Sequence, residues 1–193
     1  MVCSHVALVS SGSQFAQIQY LFDRLPPDAP RMIMSIRDWG RHWGAHPVDM
    51  YNLSNSREIL QGCTRNWVNV RAGIADLLGD IVGEDGFCLY APHLRLPLAR
   101  LLSVHKQCFR VIMVEEGLAS YRASQDNRKW FEIVKSLPTL GGFGLVENIG
   151  IGGRLHHPTK TAKYLALLPE AWPDVPRSHI ASLPIAEVFA ATS

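Results

Sequence analysis

Two adjacent acids, Glu115 and Glu116, follow an apolar and β-branched run that extends from Cys108 to Val114. Such a run predicts a strand that is covered on both faces, as in the parallel sheet of an α/β domain. Because ligands of these sheets bind at the carboxyl edge, both carboxylates are expected at the rim of a binding site. A carboxylate that a strand end holds rigidly can take the proton from a hydroxyl and so act as a general base.

The residues next to this pair leave its role open. Gly117 follows the acids and would allow the turn with positive φ that is needed before the next segment starts. Because consecutive side chains at a strand end diverge, only one of the two carboxylates is expected to face the site. The alternative is that the acids occupy the first turn of a helix, where they complement its dipole and do no chemistry.

A polar loop at residues 10–13 is expected over the same edge of the sheet. His5 to Ser10 predicts the first strand, and the apolar residues that follow recur at helical intervals. Ser13 is expected to cap that helix, so the loop would present backbone N–H groups and hydroxyls at the rim. The alternative is a plain capped turn between a strand and a helix. The candidate binding residues of this segment are Ser11, Gly12, Ser13 and Gln14.

A histidine is predicted at the same rim. The run from Gly86 to Ala91 predicts another strand, and His93 follows its carboxyl end. His93 is therefore a candidate binding residue near Glu115, because carboxyl ends of parallel strands share one edge. An ordinary turn histidine is the alternative.

The remaining pattern defines the fold class. Strands that alternate with helices predict an α/β fold, a Rossmann-like parallel sheet with helices on both faces. One domain is expected over residues 1–183, with residues 122–162 as a lid or insertion because glycines are frequent there, and residues 184–193 as a tail. Further strands are predicted at 31–36, 48–53, 163–168 and 179–183, and helices at 64–83 and 94–106.

The composition excludes several function classes. With 47% hydrophobic residues, 19% charged residues and a net charge of +2, the chain has no basic field to attract nucleic acid. Neither a membrane span nor a signal peptide is indicated, so a cytoplasmic location is expected. The four cysteines form no CxxC pair, and no metal or other cofactor is predicted.

Four stretches together resemble the amino-terminal half of the bacterial sialyltransferase and polysialyltransferase families. They are Ser-Gly-Ser-Gln-Phe at 11–15, Leu-Tyr-Ala-Pro-His at 89–93, Val-Glu-Glu-Gly-Leu-Ala-Ser-Tyr at 114–121 and Tyr-Leu-Ala-Leu-Leu-Pro-Glu-Ala-Trp-Pro at 164–173. Those families are similar to GT-B glycosyltransferases, which have two Rossmann-like domains that face a cleft. They transfer sialic acid from CMP-sialic acid to a glycan with inversion.

The resemblance implies roles for particular residues. One acid of the pair would be the general base, and the family pattern favours Glu115 while the residues themselves leave Glu116 open. The histidine of a His-Pro motif would meet the CMP phosphate, and His157 matches that motif, although an ordinary turn before a strand is the alternative. A sugar acceptor and CMP-sialic acid are the implied partners, in the synthesis of capsule or another surface glycan.

The length implies an incomplete enzyme. Too few residues follow Ser178 for a second Rossmann-like domain, so the chain is expected to be an acceptor-side domain with weak or absent transfer activity by itself. Apolar surface exposed where that domain would sit is expected to promote self-association. The alternatives are a non-catalytic relative that binds a glycan or a partner, and an unrelated Rossmann-like nucleotide-binding protein.

Overall fold

A computed structural model describes residues 3–35, 50–52, 78–79, 82, 85–94, 97–121, 156–157 and 159–190. Within these ranges the chain forms a seven-stranded sheet in which all neighbouring strands are parallel. The predicted α/β fold of Rossmann-like type is therefore confirmed. The helix predicted at 64–83 and the lid or insertion predicted at 122–162 lie largely outside the described residues.

The strand order is that of a doubly wound sheet, β3-β2-β1-β4-β5-β6-β7. From β1 the chain adds β2 and β3 toward one edge of the sheet, and from β4 onward it adds strands toward the other edge. The order in which strands are added therefore reverses between β1 and β4. Ligands of open α/β sheets bind beyond the carboxyl ends at such a reversal. The elements are β1 (Ser4–Val9), α1 (Gly12–Phe22), β2 (Arg31–Ser35), β3 (Met50–Asn52), β4 (Phe87–Ala91), α2 (Pro97–Val104), β5 (Cys108–Val114), β6 (Thr161–Ala166), β7 (Ile180–Ser182) and α3 (Ile185–Ala190).

The core lies on both sides of the sheet because successive side chains of a strand point to opposite faces. Val6 and Leu8 of β1 belong to the layer beneath α2, whereas Ala7 and Val9 belong to the layer beneath α1 and α3. The same alternation continues through β2, β4 and β6. Since helices cover both faces, the carboxyl edge is where polar side chains of several strands can meet.

The start of α1 corrects the predicted cap. Ser11, and not Ser13, is the N-cap, because its backbone is extended and its side chain accepts a hydrogen bond from the backbone N–H of Gln14. The helix begins at Gly12, one residue before the serine that was expected to precede it. Both serines satisfy the preference for a hydroxyl at a helix start, so residue type alone does not distinguish them.

The carboxyl-terminal segment also differs from the prediction. Instead of a tail, residues 185–190 form α3, whose Val188 is fully buried against the layer of α1. Glu187 accepts hydrogen bonds from the hydroxyl of Tyr20 and from Arg24, each at 3.1 Å. This helix is therefore packed into the domain. No helix within the described ranges is long and apolar enough to cross a membrane.

Candidate functional site

Three polar side chains meet at the carboxyl edge where β1, β4 and β5 lie side by side. Ser10 follows β1, His93 follows β4, and Glu116 follows β5. The hydroxyl of Ser10 donates a hydrogen bond of 2.6 Å to Oε1 of Glu116. Nε2 of His93 lies 3.1 Å from Oε2 of the same carboxylate. We call these three residues the Glu116 cluster.

The cluster is partly shielded from solvent. The side chain of His93 is 22% exposed and that of Glu116 is 25% exposed, although Oε2 of Glu116 itself is buried. The contact between Nε2 and Oε2 is at ion-pair distance but does not have the direction of a good N–H···O hydrogen bond. Partial exclusion of water strengthens the interaction between charges at this carboxylate.

The first turn of α1 holds Ser10 in place. Oε1 of Gln14 accepts a hydrogen bond from the backbone N–H of Ser10 at 2.7 Å, and it lies 2.9 Å from the hydroxyl oxygen of Ser10, whose single hydrogen is directed to Glu116. Gln14 is fully buried, and its Nε2 has no hydrogen-bond partner among the residues that the structure describes. The hydroxyls of Ser11 and Ser13 lie 3.1 Å from each other at the helix start. Of the predicted loop residues, Gln14 is thus the one joined to the Glu116 cluster through Ser10.

Glu115 points away from the cluster and is 4% exposed. Its Oε2 accepts hydrogen bonds from the backbone N–H groups of Leu167 at 2.6 Å and Leu168 at 3.4 Å. Its Oε1 accepts a hydrogen bond from the hydroxyl of Tyr121. Burial and this hydrogen bond raise the pKa of Tyr121. The acid that the family pattern favours as the base therefore ties the end of β5 to the segment after β6.

The backbone of Glu116 is held by residues that the sequence analysis did not select. Its N–H donates a hydrogen bond of 2.7 Å to the hydroxyl of Ser120, which lies in a 3-10 turn at Gly117–Tyr121. The carbonyl of Ser120 accepts a bond of 2.8 Å from the N–H of Trp172. Trp172 has φ of 60°, a left-handed conformation that is rare for a bulky residue. The quoted motifs contain both residues, but no sequence signal indicates the left-handed tryptophan.

The turn at Gly117 has the predicted form. Its φ is +43°, in the left-handed region that glycine adopts without steric cost. An added Cβ would meet no atom within 4 Å, so only the backbone conformation restricts this position. Gly117 is exposed and lets the chain leave β5 immediately after the two acids.

The structure does not bring His157 to the Glu116 cluster. His157 precedes β6, where its N–H donates to the hydroxyl of Thr161 and its Nδ1 accepts from the N–H groups of Thr159 and Lys160. Leu167, which contacts Glu115, follows the other end of β6. A six-residue strand spans about 20 Å, so His157 lies at the amino edge of the sheet. This corrects its assignment to the same site as the acids, and the turn before a strand is what the structure contains.

Among the described residues, no cysteine or metal-ligand group extends the Glu116 cluster. Burial raises the pKa of the Cys88 thiol to about 12 and that of Cys108 to about 11, so both remain protonated near neutrality. Both thiols are buried in the core, as expected for small apolar side chains in strands. In the part of the chain that the structure describes, no group of three or more His, Cys, Asp or Glu side chains could hold a metal ion.

No family model, curated protein or solved structure matches the chain. The fold and the contacts of the Glu116 cluster are therefore the structural basis for a functional proposal.

Proposed function

We propose that the chain is the acceptor-side domain of a sialyltransferase-like glycosyltransferase, which presents a glycan hydroxyl to CMP-sialic acid. The observation that supports this most is the meeting of Glu116, His93 and Ser10 at the carboxyl edge, beside the reversal of strand order. The resemblance of four stretches to the sialyltransferase families gives the substrate class. Fold alone supports no particular chemistry.

Glu116, and not Glu115, is the carboxylate suited to the reaction. A hydroxyl is a poor nucleophile until a positioned group takes its proton, and the negative charge of Glu116 would draw that proton away. The carboxylate of Glu115 accepts hydrogen bonds from two backbone N–H groups and from Tyr121, and it is almost fully buried. Using Glu115 as a base would require these bonds to break.

The cluster suits a neutral hydroxyl better than a phosphate. In many nucleotide-binding proteins the turn after the first strand places a phosphate at a helix N-terminus. Here the side chain of Ser11 caps α1, and Ser10 in the same turn bonds a carboxylate that would repel an anion. A sugar hydroxyl can accept and donate hydrogen bonds at such a site without charge repulsion.

A transfer assay with matched variants tests the proposal. Purified chain is incubated with labelled CMP-sialic acid and a panel of galactose-terminated and sialic acid-terminated oligosaccharides. We expect only weak transfer by the wild type without a donor-binding partner, and a further loss of about a hundredfold or more in Glu116→Gln. Asp28→Asn changes an exposed carboxylate in the turn after α1 and should leave the rate unchanged.

Acceptor binding provides a second readout for a domain that needs a separate donor-binding partner. Saturation-transfer NMR is expected to detect at least one oligosaccharide of the panel on the wild type and on Asp28→Asn. A wild type that neither transfers sialic acid nor binds any of these glycans would contradict the proposal, as would full activity in Glu116→Gln.

A Rossmann-like nucleotide-binding protein is the second candidate. The run β3-β2-β1-β4-β5-β6 within the sheet has the strand order of dinucleotide-binding folds, which favours this alternative. Calorimetric titration with adenine nucleotides and with CMP distinguishes the two candidates. Tight binding of an adenine nucleotide with no response to CMP or glycans would favour the second.

A further inference from the structure

A second group of reactive side chains lies where β1 begins, at the end of the strand opposite the Glu116 cluster. Cys3 precedes β1, and its Sγ lies 3.7 Å from Nε2 of His5. Alternate residues of an extended segment point to the same side, so the thiol and the imidazole share one face of the sheet. Nδ1 of the same ring lies 2.9 Å from the hydroxyl oxygen of Tyr90 in β4. We call Cys3, His5 and Tyr90 the thiol cluster.

Exposure distinguishes Cys3 from the cysteines of the neighbouring strands. Cys3 is partly exposed, whereas Cys88 and Cys108 are buried, and burial raises the pKa of both buried thiols. A cysteine reacts as its thiolate, so a buried thiol that keeps its proton is inert. Of these three cysteines, Cys3 is therefore the one that combines access from solution with a neighbouring base.

The ring of His5 is suited to take the proton of the Cys3 thiol. Burial lowers the pKa of His5 from its ordinary value, so the ring is neutral near neutral pH and one of its nitrogens carries a lone pair. When the oxygen of Tyr90 accepts a hydrogen bond from Nδ1, that lone pair is on Nε2, which faces Sγ.

Packing holds the ring of His5 in this orientation. Its centroid lies 5.8 Å from that of Tyr90 and 6.2 Å from that of Phe22, which it meets edge to face. A nucleophile beside a base, with a third group that orients the base, is the general arrangement of an activated nucleophile. The thiol cluster has all three parts.

We infer that Cys3 is a site of reversible modification by low-molecular-weight disulfides, with His5 as the general base. The Cys3 thiol gives its proton to Nε2 of His5 as Sγ attacks one sulfur of the reagent. A bond forms between these two sulfurs, the disulfide bond of the reagent breaks, and its electron pair leaves on the second sulfur. The leaving thiolate then takes the proton from His5. Cys3 is thereby oxidised to a mixed disulfide, and half of the reagent is reduced to a thiol.

The mixed disulfide is expected to persist, because Cys88 is badly placed to displace it. Cys88 pairs with His5, which is two residues along the chain from Cys3. Residues of a strand rise about 3.3 Å each and strands lie about 4.8 Å apart, so the Cα atoms of the two cysteines are separated by about 8 Å. A disulfide requires Cα atoms within about 7 Å unless the backbone moves.

Mass spectrometry with peptide mapping tests the site. Cys63 lies outside the described residues, so Cys63→Ser serves as the parent chain. Under native conditions we expect glutathione disulfide to add one glutathione to the parent, at Cys3, and none when Cys3→Ser is introduced. No adduct at Cys3, an adduct on Cys88 or Cys108 in its place, or a disulfide between Cys3 and Cys88 would overturn the inference.

The rate of adduct formation tests the base. In His5→Gln the rate at neutral pH should fall by about tenfold or more, whereas His179→Gln changes an exposed histidine before β7 and should retain the parent rate. At a pH where the thiol is fully ionised no base is needed, so His5→Gln and the parent should react equally fast. Circular dichroism establishes that each chain is folded at both pH values. Equal rates at neutral pH, or a deficit that remains at high pH, would overturn the role of His5.

This modification is independent of the proposed function. The six residues of β1 span about 20 Å between the thiol cluster and Ser10 of the Glu116 cluster. A chain without transfer activity can therefore still form the adduct at Cys3, and the two proposals succeed or fail separately.

Discussion

Glu115 and Glu116 are neighbours with the same side chain, yet they belong to two different regions of the sheet edge. Glu116 faces β1 and β4, where it contacts a hydroxyl and an imidazole and remains partly exposed. Glu115 faces the end of β6, where backbone N–H groups and a phenol occupy its carboxylate. In a pair of adjacent acids, one carboxylate can therefore be placed for chemistry while the other stabilises the fold, because neighbouring side chains at a strand end diverge.

The largest effect on stability is expected at Glu115. Glu115→Ala would leave the N–H of Leu167 and the hydroxyl of Tyr121 without their acceptor. We expect a loss of about 2–4 kcal/mol in the free energy of unfolding, because hydrogen bonds to a buried carboxylate are strong and the partly buried Leu167 and Tyr121 would lose their acceptor. Urea denaturation followed by circular dichroism measures this loss. A change below about 0.5 kcal/mol, which is typical of surface substitutions, would contradict the claim that Glu115 stabilises the fold.

A smaller effect is expected at Ser120, which connects the two regions. Ser120→Ala removes the acceptor of the Glu116 N–H and should cost about 1–2 kcal/mol of stability. Ser120→Thr keeps the hydroxyl and should retain more of the stability. Hydrogen exchange of the Glu116 amide provides a local readout, because protection should fall in the alanine variant. Unchanged protection would mean that Ser120 does not hold this backbone.

The turn between the two regions should give the smallest effect. Gly117→Ala places a Cβ at φ of +43° and should destabilise the protein by about 1 kcal/mol. Gly79 is helical and its added Cβ would also meet no atom within 4 Å, so Gly79→Ala serves as the control. That variant should stabilise by up to about 1 kcal/mol. Equal effects of the two alanines in thermal unfolding would contradict a specific requirement for the left-handed turn.

Local patterns were sufficient for much of the fold. The bounds of β5 are those of the apolar run from Cys108 to Val114, and the positive φ of Gly117 follows from its place after the strand. The predictions failed at the cap of α1 and at α3, where the local sequence signals are duplicated or short. The hydroxyls of Ser11 and Ser13 are equivalent as caps, and α3 is only six residues long, too short to show a helical period clearly.

The site was less predictable because long-range pairing determines it. Nothing near Glu115 in sequence indicates that the N–H of Leu167 will satisfy its carboxylate, since that contact requires β6 to lie beside β5. The same pairing places His157, which precedes β6, at the amino edge of the sheet. The two-residue His-Pro motif contains no signal of this position. His93 could be placed near the acids because both follow strands that end at one edge.

The most direct test of the account measures transfer and stability side by side in Glu115→Gln and Glu116→Gln. We predict opposite outcomes: Glu116→Gln keeps the unfolding midpoint near that of the wild type and loses sialic acid transfer by about a hundredfold or more, whereas Glu115→Gln loses mainly stability. Transfer that survives in Glu116→Gln and disappears in a well-folded Glu115→Gln would contradict the central claim that Glu116 is the reactive acid of the pair.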